Sequence, residues 1–287
     1  MNYCLENEWM RLECQEEGGE IVHFFDKENN QECMYQGDQG WSGKNPTLFP
    51  LVGNTYTKTY QIHDKTYAMK NHGLIRYATL KGRQEEDCLI FSLDSNEETK
   101  AQYPFDFHYE VQYRLEEKKL HITYKIVNMS DEAMPFNFGL HPGFIVPQKE
   151  GEKFEDYILE FEKEEHAKQL IFDVKFEKHV EYKDVTFKNW PLSYQEIDQY
   201  ATIIYKDLQS SMVTLSYKGQ PRLRVSIDGY PYLALWTHES HSDFLCIEPW
   251  YGHGDFEKET PDFYHREGTM ILEPKQEFTT TYWIESV

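Results

Sequence analysis

Three short segments of the chain each place a titratable side chain at a corner marked by glycine or proline. The segment NHGLIR contains His72 and, four residues later, Arg76. The segment FNFGLHPGF contains His141, and CIEPWYG contains Glu248 directly after an apolar run. A carboxylate and an imidazole have reference pKa values of about 4.3 and about 6.5, so one can accept a proton while the other donates one. Each residue alone is typical of a solvated loop, but an acid and two imidazoles at strand corners together predict a polar pocket for proton transfer.

Alternation of apolar and polar residues identifies the elements that must position these corners. Apolar side chains occur at every second position over 107–115 and again over 120–126. The polar turn between the two runs predicts a long antiparallel hairpin. The same alternation predicts further strands at 213–217, 223–227 and 278–284.

Helix-period segments are scarce, and LSYQEIDQYATI (192–203) is the one stretch that predicts a short helix. Many short strands joined by turns predict an all-β sandwich or barrel. No repeat of fixed period and no Gly/Ser-rich or Pro-rich linker divides the sequence, so residues 1–287 are predicted to form a single domain. The more charged stretch 147–191 is interpreted as exposed connections, with an excursion over a pocket rim as the alternative.

The charge composition favours a neutral ligand. The chain has 29 Lys and Arg against 50 Asp and Glu, which gives a formal net charge of -21. Such a field repels nucleic acid and anionic membranes, because both require a basic binding surface. A phosphorylated ligand stays open as an alternative, since a pocket can be locally basic.

Cysteine usage and hydropathy indicate a reducing compartment. The cysteines are scattered and contain no CxxC pair, which argues against a disulfide framework or a structural zinc site. The N-terminal segment lacks the features of a signal peptide, and no apolar run approaches the roughly 18 residues of a membrane span. We therefore expect a soluble cytoplasmic protein, and a homodimer is compatible with the sequence.

Five motifs, in order along the chain, resemble the aldose 1-epimerase (galactose mutarotase-like) superfamily and, within it, the LacX-like group. The motifs are NPTLFPLVGN (45–54), NHGLIR (71–76), FNFGLHPGF (136–144), PYLALWT (231–237) and CIEPWYG (246–252). Because they are spread over most of the chain, the resemblance is to a whole domain. It implies a large antiparallel β-sandwich, the galactose mutarotase-like supersandwich, with few short helices and an open cleft.

The resemblance also implies roles for individual residues. Glu248 matches the general base that takes the proton from the anomeric hydroxyl, His141 the general acid that protonates the ring oxygen, and His72 a histidine that orients the sugar. No metal and no organic cofactor is implied. Relatives often carry arginine at the position of Asn54, and their acidic sugar ligand has Asp198 as its nearest candidate here. Further substrate-binding candidates are Asn54, Arg76, Trp236, Trp250 and Asp228, and Tyr251 and Phe49 are candidate walls whose alternative is core packing.

The implied activity is the interconversion of the α and β anomers of a neutral hexose by acid–base ring opening and closing. Opening a cyclic hemiacetal requires loss of a proton at O1 and delivery of one to the ring oxygen, which a base and an acid on opposite sides can perform. The alternatives are a hexose-6-phosphate 1-epimerase, which needs clustered cations, and a carbohydrate-binding protein without turnover. A third alternative is a metal site at His238 and His241, whose spacing on a strand does not place both on one face.

Overall fold

Strands that bury every second side chain build most of the molecule. The computed structural model describes residues 2–258 and 260–287. In chain order the strands are β1 (Asn2–Glu6), β2 (Met10–Gln15), β3 (Ile21–Asp26), β4 (Gln31–Glu32), β5 (Thr47–Leu48), β6 (Thr59–Ile62), β7 (Lys65–Ala68), β8 (Lys81–Gln84), β9 (Cys88–Asp94), β10 (Phe107–Glu116), β11 (Lys119–Asn128), β12 (Met134–Phe136), β13 (Phe138–Leu140), β14 (Gly143–Ile145), β15 (Tyr157–Ile171), β16 (Glu181–Pro191), β17 (Ile203–Lys206), β18 (Met212–Tyr217), β19 (Gln220–Ser226), β20 (Tyr232–Trp236), β21 (Phe244–Tyr251), β22 (Met270–Leu272) and β23 (Glu277–Ser286).

The helical elements are few and short. They are α1 (Glu97–Gln102), α2 (Tyr194–Tyr200) and three 3₁₀ turns at Ile75–Tyr77, Phe154–Asp156 and Phe263–His265. The predicted helix at 192–203 is confirmed as α2, which begins after Ser193, whose hydroxyl accepts the backbone N–H of Glu196. No helix in the described parts of the chain has the length and apolar character needed to span a bilayer.

One antiparallel sheet of 15 strands forms the framework. Its strands follow the order β5-β13-β21-β20-β17-β15-β18-β19-β23-β11-β10-β9-β8, while β14 pairs with β21 and β16 with β15. The predicted hairpin is confirmed by the pairing of β10 with β11, in which Glu116 lies opposite Lys119. The runs at 213–217, 223–227 and 278–284 fall in or at the ends of β18, β19 and β23. The predicted all-β fold is therefore correct.

The large sheet curves so that its two halves face each other across a common core. Tyr124 of β11 contacts Phe138 of β13 with ring centroids 5.1 Å apart, although these strands are widely separated in the sheet order. A separate four-stranded sheet, β1 to β4, covers part of this core, and Tyr3 packs edge-on against Phe91 of β9. Two layers that bury their apolar faces against each other form a β-sandwich.

The interpretation of 147–191 as exposed connections is wrong for most of that stretch. It forms the long strands β15 and β16, which pair with each other, and β15 also pairs with β17 and β18 in the sheet. Tyr157, Leu159 and Phe161 are buried, while Ile158 and Glu160 between them are partly exposed on the other face of the strand. The high charge reflects one solvated face of a strand, so composition alone concealed the alternation.

Candidate active site

A cavity of about 500 Å³ opens beside β21. Its lining comes from β20 and β21, from the corner between β13 and β14, and from the loop between β15 and β16. Two further segments contribute to it: one follows β5, and the other leads into the 3₁₀ turn Ile75–Tyr77. Of the eight predicted site residues, seven line it: Asn54, His72, Arg76, His141, Trp236, Glu248 and Trp250. The cavity therefore gathers residues that are up to about 200 positions apart in the sequence.

Strand pairing explains why His141 and Glu248 meet. Strand β13 pairs with the end of β21, where Phe138 lies opposite Tyr251, and β14 pairs with its start, where Gly143 lies opposite Cys246. The corner between the two short strands thus lies beside the middle of β21, which carries Glu248. His141 Nε2 is 3.5 Å from Glu248 Oε1, and the two side chains are 9% and 1% exposed.

Burial sets the protonation of this pair. It raises the pKa of the Glu248 carboxyl well above its ordinary value, an effect that the Trp250 side chain and the Arg76 charge partly oppose. Burial, aided by the Arg76 charge, lowers the pKa of His141 to about 3. A desolvated site penalises every charged form, so burial favours the neutral carboxyl of Glu248 and the neutral imidazole of His141.

His72 is fixed by the backbone of the segment that follows β5. The His72 N–H donates to the Gly53 carbonyl at 2.9 Å, and the Gly53 N–H donates to His72 Nδ1 at 3.1 Å. Because Nδ1 accepts, the neutral ring carries its proton on Nε2, which can donate to a ligand. Burial, with contributions from His141 and Arg76, lowers the pKa of His72 well below its ordinary value, so this neutral state persists at neutral pH.

Gly73 allows this arrangement, and its substitution provides a stability test. Gly73 has φ +81, and a Cβ there would lie 2.3 Å from the Phe49 carbonyl oxygen. We expect Gly73→Ala to lower the free energy of unfolding by about 1–3 kcal/mol more than Gly151→Ala, as measured by chemical denaturation. Gly151 has a similar φ of +85 but no atom within 4 Å, so that variant carries only the left-handed backbone cost of about 1–2 kcal/mol. Equal losses in both variants would contradict the packing argument.

The remaining predicted residues fall into two groups. Arg76, in the 3₁₀ turn Ile75–Tyr77, lines the cavity and supplies positive charge to it. Trp236 packs edge-on against His141, with ring centroids 5.4 Å apart, and Asn54 is held by its carbonyl, which accepts the Asp255 N–H. Asp228, in contrast, is exposed in the turn between β19 and β20 and does not line the cavity. Its side chain is suited to that turn beside a glycine.

Three further candidates from the sequence also lie elsewhere. Phe49 is fully buried in the main core against Phe107 and Tyr109, and Tyr251 packs on Tyr230. Asp198 forms an ion pair with His241 at 2.9 Å on the surface. The core-packing alternative for these aromatic rings is therefore the correct one, and the acidic residue pairs with a histidine instead of facing the cavity.

The cavity also has lining residues that were not predicted to bind substrate. Trp41, Asn71 and His238 line it, and Trp41 stacks on the His141 ring. His238 was predicted only as part of the metal-site alternative. On the other side, Phe172 and Val174 from the loop between β15 and β16 form an apolar wall. This wall agrees with the alternative of an excursion over a pocket rim. Asn71 could have been noticed from its place beside His72, but Trp41 had no motif to mark it.

Among the described residues, one group brings possible metal-donor atoms together. It consists of His141, Cys246 and Glu248, whose donor atoms lie within 4.8 Å of one another. His238 and His241 do not belong to such a group among the described residues. Burial raises the pKa of the Cys246 thiol well above its ordinary value, so the thiol keeps its proton. A cation there would occupy the space between Glu248 and His141, so metal binding and proton transfer by this pair exclude each other.

Comparison with known proteins agrees with the fold and with the location of the motifs. The family model for aldose 1-epimerase matches residues 1–260. The chain is 31% identical to the chromosomal protein LacX of Lactococcus lactis subsp. lactis over 262 residues, covering 86% of this chain and 87% of the relative.

Solved structures extend the likeness over the whole chain. A galactose mutarotase related enzyme from Lactobacillus acidophilus is 27% identical with a TM-score of 0.91, covering 100% of this chain and 97% of that one. A galactose mutarotase-like protein from Lactobacillus casei ATCC 334 is 25% identical with a TM-score of 0.90, covering 99% of each chain. With the family model spanning all five motifs, we conclude that the chain belongs to the aldose 1-epimerase family.

Proposed function

We propose that the protein is an aldose 1-epimerase that interconverts the α and β anomers of a neutral hexose, and that residues 1–287 form one domain with this activity. The observation that carries the proposal is the buried pair of Glu248 and His141, 3.5 Å apart in a cavity large enough for a hexose. Two buried titratable groups whose pKa values are displaced in opposite directions suit general acid–base catalysis.

Ring opening needs the proton on the imidazole and a carboxylate on Glu248. The carboxylate takes the proton from the O1 hydroxyl, the C1–O5 bond breaks with its electrons on O5, and His141 gives its proton to O5 as C1=O1 forms. Rotation about C1–C2 then presents the other carbonyl face. The same transfers in reverse close the ring as the opposite anomer.

The direction in which burial displaces the two pKa values matches one half of this cycle. After ring opening the proton is on Glu248 and His141 is neutral, and burial favours the uncharged form of each group. That state donates a hydrogen bond to the aldehyde oxygen and accepts one from the C5 hydroxyl. We infer that the pair stabilises the open-chain aldehyde, the high-energy species of the reaction, more than either ring form.

Neighbouring residues would bind and orient the sugar. His72 can donate from Nε2, because its Nδ1 is occupied by the Gly53 N–H. Trp236 and Trp250 offer aromatic surface for the C–H faces of the ring. Arg76 lowers the pKa of both Glu248 and His141, so its charge favours the deprotonated form of each group.

The charge of the cavity favours a neutral sugar over a sugar phosphate. Arg76 is the one lysine or arginine among the described lining residues, and the Asp255 carboxylate, which also lines the cavity, forms an ion pair with Arg266 at 2.9 Å. A phosphate dianion binds best to several cations or to a bidentate arginine cluster. The net charge of -21 adds an unfavourable long-range field.

The buried pair also argues against a protein that only binds sugar. Glu248 and His141 are 1% and 9% exposed, and their nearest side-chain atoms are 3.5 Å apart. Binding a neutral sugar does not require an acid–base pair, whereas proton transfer to and from the sugar does.

Anomer exchange measured by NMR tests the proposal directly. We expect the protein to accelerate exchange between α and β forms of at least one of glucose, galactose, xylose or arabinose by more than about 10²-fold over buffer. The 6-phosphates of glucose and galactose, run beside them, should exchange more slowly per enzyme. No acceleration of any neutral aldose would refute the proposed activity, and a preference for the phosphates would favour the hexose-6-phosphate alternative.

A further inference from the structure

The segment between β4 and β5 places an aromatic ring over the proton-transfer pair. The indole of Trp41 stacks on the imidazole of His141, with ring centroids 5.1 Å apart and an angle of 29° between the planes. The indole also contacts the rings of Phe244, at 4.9 Å, and Trp236, at 5.4 Å. Trp41 is only partly exposed and lines the cavity, so it separates one face of the imidazole from solvent.

A turn built around Asp38 holds Trp41 in this position. The Asp38 carboxylate accepts the N–H groups of Gly40 at 2.7 Å and Trp41 at 2.9 Å, and the Asp38 N–H donates to the Trp41 carbonyl at 2.9 Å. The Ser242 side chain and the donated Trp41 N–H lower the pKa of Asp38 below its ordinary range. The turn is thus linked to the strand that carries Glu248, since Ser242 lies two residues before β21 begins at Phe244.

Gly143 and Tyr35 also pack against the Trp41 ring. A Cβ on Gly143, two residues after His141, would lie 2.7 Å from Trp41 Cζ3. Tyr35 stacks parallel to Trp41, with centroids 5.7 Å apart. The ring is therefore enclosed by contacts from several elements, which fixes its plane and with it the plane of the imidazole.

We propose that Trp41 is a positioning residue, held by the Asp38 turn, that fixes the ring plane of His141 and keeps water from the proton-transfer pair. The proposal rests on the proposed function for its effect on turnover. Its effect on the imidazole itself is independent of any activity. Aromatic cover over a buried titratable group maintains the low dielectric that sets the protonation of that group.

The consequence is a pH dependence with a definite sign. The groups that face His141 are Glu248 and Cys246 from β21, His72, and Arg76. Burial lowers the pKa of His141 to about 3. The pair of Glu248 and His141 therefore does not take up a second proton until the pH falls to that range. Without Trp41, water reaches the ring and its pKa should rise toward the ordinary value of about 6.5. Trp41 stacks on the imidazole, whereas the Glu248 side chain is 1% exposed on β21 and keeps the raised pKa that its own burial causes. Below about pH 6.5 both groups are then protonated, no base remains, and turnover falls.

The experiment compares kcat between pH 5 and pH 8 for wild type, Trp41→Ala, Trp41→Phe and Asp38→Ala, with NMR titration of the His141 ring assigned by difference from His141→Asn. Wild type should keep kcat within about 2-fold over this range. Trp41→Ala should lose up to about 30-fold at pH 5 relative to pH 8, as an imidazole with a pKa near 6.5 requires. Trp41→Phe should restore most of the wild-type profile, and Asp38→Ala should reproduce the Trp41→Ala profile with the indole still present.

Trp283→Ala is the matched control, since that tryptophan lies on β23 beneath Lys119 and does not line the cavity. Circular dichroism at each pH establishes that the variants stay folded. A wild-type pH profile and an unshifted His141 titration in Trp41→Ala and Asp38→Ala would overturn the proposal. If wild type itself shows no anomer exchange, the proposed function fails, while the NMR titration still decides whether Trp41 covers His141.

Discussion

Substitution of Glu248 by Gln is expected to lower kcat for anomer exchange by about 10²–10⁴-fold while the Kd for the sugar changes little. The amide keeps the size and much of the polarity of the acid, but it can neither accept the O1 proton nor return it. NMR exchange at saturating sugar gives kcat, and calorimetric titration of the same sugar gives Kd. Loss confined to kcat is the expected result for an interaction made in the transition state.

Glu165→Gln is the matched control for Glu248→Gln. Glu165 is also fully buried, but it lies on β15 outside the cavity lining, where its carboxylate accepts the N–H groups of Gln209 and Ser210. An amide cannot accept both bonds without presenting an N–H to one of the donors, so this variant should lose stability. Its kcat per folded molecule should match wild type. Wild-type turnover in Glu248→Gln would remove the assigned role of that residue.

The strands were predictable because burial on one face leaves a period of two in the sequence. The alternation over 107–115 and 120–126 corresponds closely to β10 and β11, since one face of each packs into the core. The stretch 147–191 misled because its many charged residues were taken as a sign of exposed connections. Reading positions 157, 159 and 161 as a set would have revealed β15, since those side chains are buried.

The candidate site was predictable where a corner motif carries both the functional side chain and the turn that presents it. His72 precedes a glycine whose φ is +81, and His141 lies in the corner between two short strands that both pair with β21. Those local signals sufficed to select His72 and His141. Their meeting with Glu248, more than 100 residues later, depends on the pairing order of the sheet, which no local pattern specifies.

The residues that sequence reasoning missed or misplaced share a physical cause. Trp41 and His238 reach the cavity through loops whose paths depend on contacts with distant strands, such as the stacking of Trp41 on His141. Asp198 resembled an acidic sugar ligand by position, yet it lies on α2 and pairs with His241. A titratable residue in a loop or short helix carries no periodic signal about the direction of its side chain, so only the packed structure reveals its partners.

The second large effect concerns His141 together with Glu248. His141→Asn alone is expected to lower kcat by about 10²–10⁴-fold, and the double variant His141→Asn with Glu248→Gln should be about as slow as the slower single variant. The reason is that the two groups, 3.5 Å apart, pass one proton between sugar oxygens, so removal of either partner already stops the cycle.

If the two groups acted independently, the double variant would lose more kcat than either single variant. Two separate losses of that size would multiply to about 10⁴–10⁸-fold, because effects of groups that do not interact add as free energies. The measurement is kcat by NMR anomer exchange for wild type, both single variants and the double variant, with the uncatalysed rate subtracted and the Kd checked for each. A double variant whose loss equals the product of the single losses would mean that Glu248 and His141 act separately. A loss equal to that of one single variant means that a shared proton links them, and that the burial which displaces both pKa values creates a single catalytic unit from two residues.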